Sequence, residues 1–373
     1  MRKRITRIVV VAVLLLTFMG SSCYAATAPM YAKLVLKEEI TGAEDKLFPR
    51  TMYLKEQSYS YSDTKVGEST MVIPYGKNEA VTVVGKKTVK EKKFIGKIDM
   101  WGYTKDANKI TFYEVKHYDA TCYIPAEVLT SKKPKYSYRV SGIYKKLMLK
   151  ENAVFSYVPQ NNSKTTVYEQ TFIYTMGETK NWYKVYFDGK VSFIKKTSKD
   201  ILKAEPVDTS LCIIDTEVNP LSAEARFKCA YAMLPSLAAN IIENRGFTCT
   251  VQNRFDDYTD QEHEASVAGY YDGPTEIHVK NNEQIYLETA LFHEYGHALF
   301  YGFVNRRYME DLFKNAYEER NNLNLGTYFL QQGEYVAETF EMFVKNPEYL
   351  KEKAPYTYEW FAYALKNKFD CNL

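Results

Sequence analysis

Five histidines occur in 373 residues, and two of them stand four apart in His293-Glu294-Tyr295-Gly296-His297. On a helix, positions four apart leave the same face one turn from each other, so both imidazoles can reach one metal ion while Glu294 lies on the adjoining edge. That trio suits hydrolysis. Zinc lowers the pKa of a bound water to about 7 and polarises a carbonyl, and a neighbouring carboxylate can take the water's proton. A catalytic zinc keeps three protein ligands and one open position, so the chain must supply another donor. The candidate is Glu334, in Glu334-Tyr335-Val336-Ala337-Glu338. One turn on, Glu338 is placed to accept the second ring N–H of a ligating imidazole, the usual arrangement behind a metal-bound histidine. His263 and His278 are not expected to bind this metal.

These donors need helices to carry them. The apolar spacing predicts helices over residues 283–301, 307–321, 329–344 and 355–369, the last opened by Pro355. The first contains the paired histidines, and the third contains Glu334 and Glu338. Upstream, Leu211-Cys212-Ile213-Ile214 reads as an apolar strand. Pro220 precedes one long predicted helix over 221–244, with Ala225, Ala232, Leu237, Ile241 and Ile242 near helical spacing and Gly246 closing it. Residues 247–254 alternate as a strand, and Glu276-Ile277-His278-Val279 follows the Gly273-Pro274 turn as another. Strands early and helices late make residues 206–373 an α+β domain.

Residues 210–372 resemble the zincin domain of the anthrax lethal factor and Pro-Pro endopeptidase group. The resemblance is carried by His293-Glu294-Tyr295-Gly296-His297, by Gly333-Glu334-Tyr335-Val336-Ala337-Glu338-Thr339-Phe340, and by Asn346-Pro347-Glu348-Tyr349-Leu350 leading to Ala354-Pro355-Tyr356-Thr357-Tyr358. It implies a zinc endopeptidase with Glu334 as third ligand and an upstream tyrosine that stabilises the oxyanion, a position that falls on Tyr328. The spacing departs from the family: Tyr328 lies six residues before Glu334, where seven is expected, and Thr327 occupies that place. The segment Val267-Ala268-Gly269-Tyr270-Tyr271-Asp272 and the strand after it precede the catalytic helix, where zincins place the strand that pairs with an extended substrate.

The other half of the chain differs in character. Residues 26–200 hold 30 Lys or Arg against 19 Asp or Glu, whereas 201–373 hold 15 against 27. From residue 52 to 199, short runs rich in Tyr, Val, Ile, Phe and Thr alternate with Gly, Asn, Asp and Lys turns, the pattern of small all-β units. Asp188-Gly189 marks a hairpin. Two passes look like an internal repeat. The first holds Trp101-Gly102-Tyr103 and Ile110-Thr111-Phe112-Tyr113-Glu114-Val115. The second holds Trp182-Tyr183-Lys184-Val185 and Lys190-Val191-Ser192-Phe193-Ile194. Each pass resembles a bacterial SH3-like barrel, the first with an insertion around residues 86–96. The expected organisation is thus multidomain: a signal peptide over 1–25, SH3-like modules over 48–132 and 143–203, and the zincin domain over 206–373.

Met1-Arg2-Lys3-Arg4, Arg7, an apolar run over 8–19 and Cys23-Tyr24-Ala25-Ala26 form the order of a secretory signal cleaved near Ala25 or Ala26, and the apolar run is too short to span a bilayer. Membrane contact follows only if Cys23 is lipidated. Export allows Cys122, Cys212, Cys229, Cys249 and Cys371 to pair, and buried thiols are the equal alternative. The basic half reads either as contact with an anionic cell-wall polymer or surface, or as lysine-rich solvated strands. A nucleic acid is not among the expected partners. The sequence therefore points to a secreted zinc endopeptidase acting on a polypeptide. The rival readings are a wall-binding or adhesion protein with a degenerate zincin domain, and a zinc amidase acting on peptidoglycan peptides.

Overall fold

The computed structural model describes residues 36–41, 48–62, 71–91, 109–208, 210–255, 267–273, 275–281, 287–303, 307–323 and 325–367. The expected signal with Cys23, the Trp101-Gly102-Tyr103 run, His263 and Cys371 lie outside these residues.

The N-terminal half consists of two β units. The first runs through β1 (Leu36–Thr41), β2 (Arg50–Leu54), β3 (Ser58–Tyr61), β4 (Met71–Tyr75), β5 (Ala80–Glu91), β6 (Lys109–His117), β7 (Ala120–Pro125) and β8 (Leu129–Thr130). The second runs through β9 (Lys145–Leu149), β10 (Ala153–Ser156), β11 (Thr165–Tyr168), β12 (Phe172–Glu178), β13 (Trp182–Phe187), β14 (Lys190–Lys195) and β15 (Ile201–Pro206). The sheets are ordered β4-β3-β7-β6-β5-β2-β8, with β1 added on β5, and β11-β10-β14-β13-β12-β9-β15. Counted from β2 and from β9 these orders are the same, so the internal repeat is a repeat of topology. Each order is an open path with two ends among the described residues. At the predicted hairpin, Asp188 and Gly189 both take positive φ (49° and 69°), the twist-matched geometry of a two-residue turn between β13 and β14.

The C-terminal part is α+β, with β16 (Cys212–Asp215), α1 (Pro220–Tyr231), α2 (Ser236–Arg245), β17 (Thr248–Gln252), β18 (Gly269–Asp272), β19 (Glu276–Lys280), α3 (Leu287–Phe303), α4 (Arg307–Glu318), α5 (Gln332–Lys345), α6 (Pro347–Lys353) and α7 (Pro355–Asn367). Its sheet is ordered β16-β17-β19-β18; the first three strands are parallel and β18 is antiparallel to β19. The single long helix expected over 221–244 is two helices. Pro235 lacks an N–H and disfavours helical geometry in the residue before it, so the chain stops at Ala232 and restarts at Ser236.

One continuous core joins the first β unit to the C-terminal helices, from Met71, Val72 and Phe112 to Phe292, Tyr295 and Phe340. The second β unit has its own core around Leu147, Phe155, Val185 and Ile194. Cys122, Cys212, Cys229 and Cys249 are free thiols. Burial pushes Cys122, Cys212 and Cys229 up to about 12, which keeps them protonated and unreactive. Among the described residues no helix is long and apolar enough to cross a membrane.

Candidate metal centre

Helix α3 is buried on nearly every side: Leu287, Ala290, Leu291, Phe292, Tyr295, Ala298 and Leu299 are all core residues. Helix α5 crosses it closely because Gly296 has no side chain. A Cβ at Gly296 would stand 2.5 Å from Ala337 Cα and 3.0 Å from its carbonyl oxygen. Ala337 lies between Glu334 and Glu338, so this close approach delivers both carboxylates to the histidine face of α3. Gly296→Ala is accordingly expected to cost about 1–3 kcal/mol, the usual penalty for overpacking a tight interface. Urea unfolding of the metal-free protein reads the cost, and an unchanged unfolding midpoint would contradict this account of the helix contact.

His293 Nε2 lies 3.2 Å from Glu334 Oε2, and His297 Nε2 lies 3.5 Å from Glu334 Oε1. The donor atoms of His293, His297 and Glu334 all fall within 4.8 Å of one another, and all three residues are buried. Two ligands at about 2.0–2.1 Å from a tetrahedral zinc stand about 3.3 Å apart, so the observed separations fit that ion. Both carboxylate oxygens of Glu294 are buried without a hydrogen-bond partner among the described residues. An ionised carboxylate in that position calls for a cation or a bound water beside it. On the far side of His293, Nδ1 lies 3.8 Å from Glu338 Oε2.

The electrostatics follow from crowding buried acids with imidazoles. Burial raises the Glu294 carboxyl, and His297 and His293 pull it back only in part. Burial also works against ionised Glu334, yet hydrogen bonds from His293 and His297 outweigh it and hold this carboxyl below the ordinary range. For His293 burial opposes the charge, but Glu334 and Glu338 raise its pKa well above the usual value. Glu341 is buried one turn beyond Ala337, and burial pushes it up to about 7 against the pull of Lys345. The centre therefore gathers Glu294, Glu334, Glu338 and Glu341 in one buried region, with Lys345 as the lysine paired there. A divalent cation fits this excess of negative charge.

The walls contain one residue that pattern reading passed over, Tyr301. Strand β18 runs beside Glu294 so closely that a Cβ at Gly269 would stand 2.9 Å from Glu294 Cγ. Tyr301, half exposed, lies one turn after His297 on the same face of α3; its ring stacks near His297 and, at 5.4 Å, on Tyr271 of β18. The four-residue spacing 293, 297, 301 was the signal for it. Tyr328 sits in a 3-10 turn, Thr327–Leu330, just before α5. Its ring packs against Phe329, and Phe329 stands edge-on to His293. His278 belongs to a separate group with Asp272 and Glu276 at the outer end of β18 and β19, stacked on Tyr270.

A family model described as "Anthrax toxin lethal factor, N- and C-terminal domain" matches residues 244–364, a span that includes α3 and α5. Among solved structures, the chain is similar to the Pro-Pro endopeptidase (PPEP-2) from Paenibacillus alvei, at 16% identity and a TM-score of 0.33, over 41% of this chain and 96% of that one. No curated protein matches the chain.

Proposed function

We propose that this chain is a zinc-dependent endopeptidase, exported and active outside the cell. The observation that carries the reading is the convergence of His293, His297 and Glu334 on one point, with the unpartnered Glu294 carboxylate on the next edge of the same helix. The lethal factor family match over the same residues supports it.

His293, His297 and Glu334 would hold the ion, which supplies an acidified water and a polarised carbonyl when bound. Glu294 takes the proton of the attacking water and passes it to the leaving amine, so that no covalent enzyme intermediate forms. Gly269 presses on Glu294 and limits the directions its carboxylate can take. Strand β18 stands last in its sheet, where an extended polypeptide would add to it as a further strand. Tyr328 is assigned to the oxyanion by the family resemblance, and Glu338 holds the His293 ring from behind.

We further assign the duplicated β units to SH3-like modules and their basic surface to contact with an anionic cell-wall polymer or cell surface. The full-length protein, incubated with a randomised peptide library, is expected to cleave internal bonds, to stop when chelator is added and to recover with Zn2+. Cleavage that survives complete metal removal would refute the metal mechanism. Release of muropeptides from peptidoglycan with no cleavage in the library would favour the amidase instead, and a lack of both activities would favour the binding protein.

A further inference from the structure

Helix α5 carries Glu334 and Glu338 near its start and is gripped at its other end by both β units. The last carbonyls of any helix lack partners within it. Here the Tyr186 hydroxyl, from β13 of the second unit, lies 2.8 Å from the Val344 carbonyl oxygen and 2.9 Å from that of Lys345. The Tyr59 hydroxyl, from β3 of the first unit, lies 2.7 Å from the Lys345 carbonyl oxygen and 2.5 Å from the Tyr186 hydroxyl. Two separate β units thus meet on the final turn of the helix that holds the third ligand.

The side chain of Lys345 extends this contact inward. It is 1% exposed, and a buried ammonium is tolerated only when its donors are satisfied. Its Nζ donates to Glu341 Oε1 at 2.7 Å, to Thr289 Oγ1 of α3 at 3.0 Å and to the main-chain carbonyl of Met71 on β4. Glu341 in turn belongs with Glu338 and His293 to a buried group whose donor atoms lie within 4.8 Å of one another. The Tyr59 and Tyr186 hydroxyls thus hold the main chain of the last turn of α5, and from β4 the Lys345 side chain leads through Glu341 to a group in which Glu341, Glu338 and His293 offer atoms within 4.8 Å of one another. Groups behind a metal-bound histidine typically alter metal affinity about 10–100-fold.

We infer that the N-terminal β units form a positioning clamp on α5, acting through Tyr59, Tyr186 and Lys345, and that this clamp sets the affinity of the centre for zinc. The inference rests on the reading of the centre as a zinc site. On this view the faces of β3, β4 and β13 that meet α5 are part of the metal centre's support, and only the remaining surfaces of these units are available for a partner.

The test uses the full-length protein and Zn2+ alone, with the dissociation constant measured by competition against a chromophoric chelator. Tyr59→Phe/Tyr186→Phe removes only the two hydroxyls and buries no unpaired charge. Lys345→Met/Glu341→Gln removes the ion pair while keeping side-chain volume. Each is expected to weaken Zn2+ binding about 10–100-fold and to shrink the rise in Tm that saturating Zn2+ produces, beyond any drop in the metal-free Tm. A wild-type dissociation constant in either folded variant overturns the clamp; should the second variant fail to fold, the tyrosine pair decides. A wild-type chain that binds no Zn2+ would remove the reading of the centre itself, an outcome distinct from equal affinities among folded proteins.

Discussion

Glu294→Gln is expected to lower kcat/KM for peptide cleavage by about 10²–10⁴-fold while leaving the bound zinc unchanged, the span that general acid–base catalysis usually contributes. Glutamine keeps the shape that fits between Gly269 and α3, where a Cβ on the glycine would already crowd Glu294. What it loses is the capacity to accept a proton. His297→Ala and Glu334→Ala make the contrasting pair, because each removes one of three donors that lie within 4.8 Å of one another and should release the metal along with the activity. Metal analysis after gel filtration, paired with steady-state kinetics on the same preparations, separates the two classes. Full activity in zinc-loaded Glu294→Gln would exclude Glu294 as the proton carrier. Loss of zinc from that variant would instead make it a ligand.

How much of this could be read from sequence varies with the range of the interaction. The two histidines and Glu294 were legible because a helix turns a four-residue spacing into a shared face. Glu334 and Glu338 were legible as another such pair, but their meeting with the histidines depends on Gly296 opposing Ala337, a contact between helices that no local pattern reports. The break at Pro235 was available in the sequence, and the apolar spacing on either side of it concealed the stop. Short α6 was not anticipated, although Asn346-Pro347 is a plain helix start: the Asn346 side chain accepts from the Tyr349 N–H, and proline occupies the first helical position. Glu341 and Lys345 form an i,i+4 pair, an arrangement that ordinarily decorates a solvated face. It is internal here because Lys345 meets Thr289 and Phe292 of α3 and the Met71 carbonyl of β4, contacts that no local spacing reports. The strand order of the β units is likewise non-local, which is why a repeat was visible in the aromatic passes while the open sheet paths were not.

The second large effect belongs to Glu288, and it concerns the support of α3 rather than the metal. Glu288 lies in the first turn of α3 and is fully buried. Its Oε1 stands 2.7 Å from His117 Nε2 of β6, and its Oε2 accepts from Arg226 of α1 at 3.0 Å. Arg226, itself 1% exposed, also donates to Asn281. Glu288→Gln would remove the carboxylate that pairs with that buried guanidinium, a loss expected to cost about 3–5 kcal/mol. Burial alone would raise the Glu288 carboxyl, but Arg226 and then His117 hold it far below its ordinary value of 4.5. A carboxyl whose folded-state pKa is depressed contributes stability that is fully present above the unfolded value and is lost as pH falls towards the folded one. The wild-type protein should therefore lose stability progressively below about pH 5, where unfolded carboxylates begin to take up protons, and the variant should lose less. Urea unfolding at pH 7 and at pH 4 checks both parts. The gap between the two proteins should be widest at pH 7 and narrower at pH 4, and a gap independent of pH would mean that Glu288 stabilises the junction of β6, α1 and α3 by shape rather than by charge.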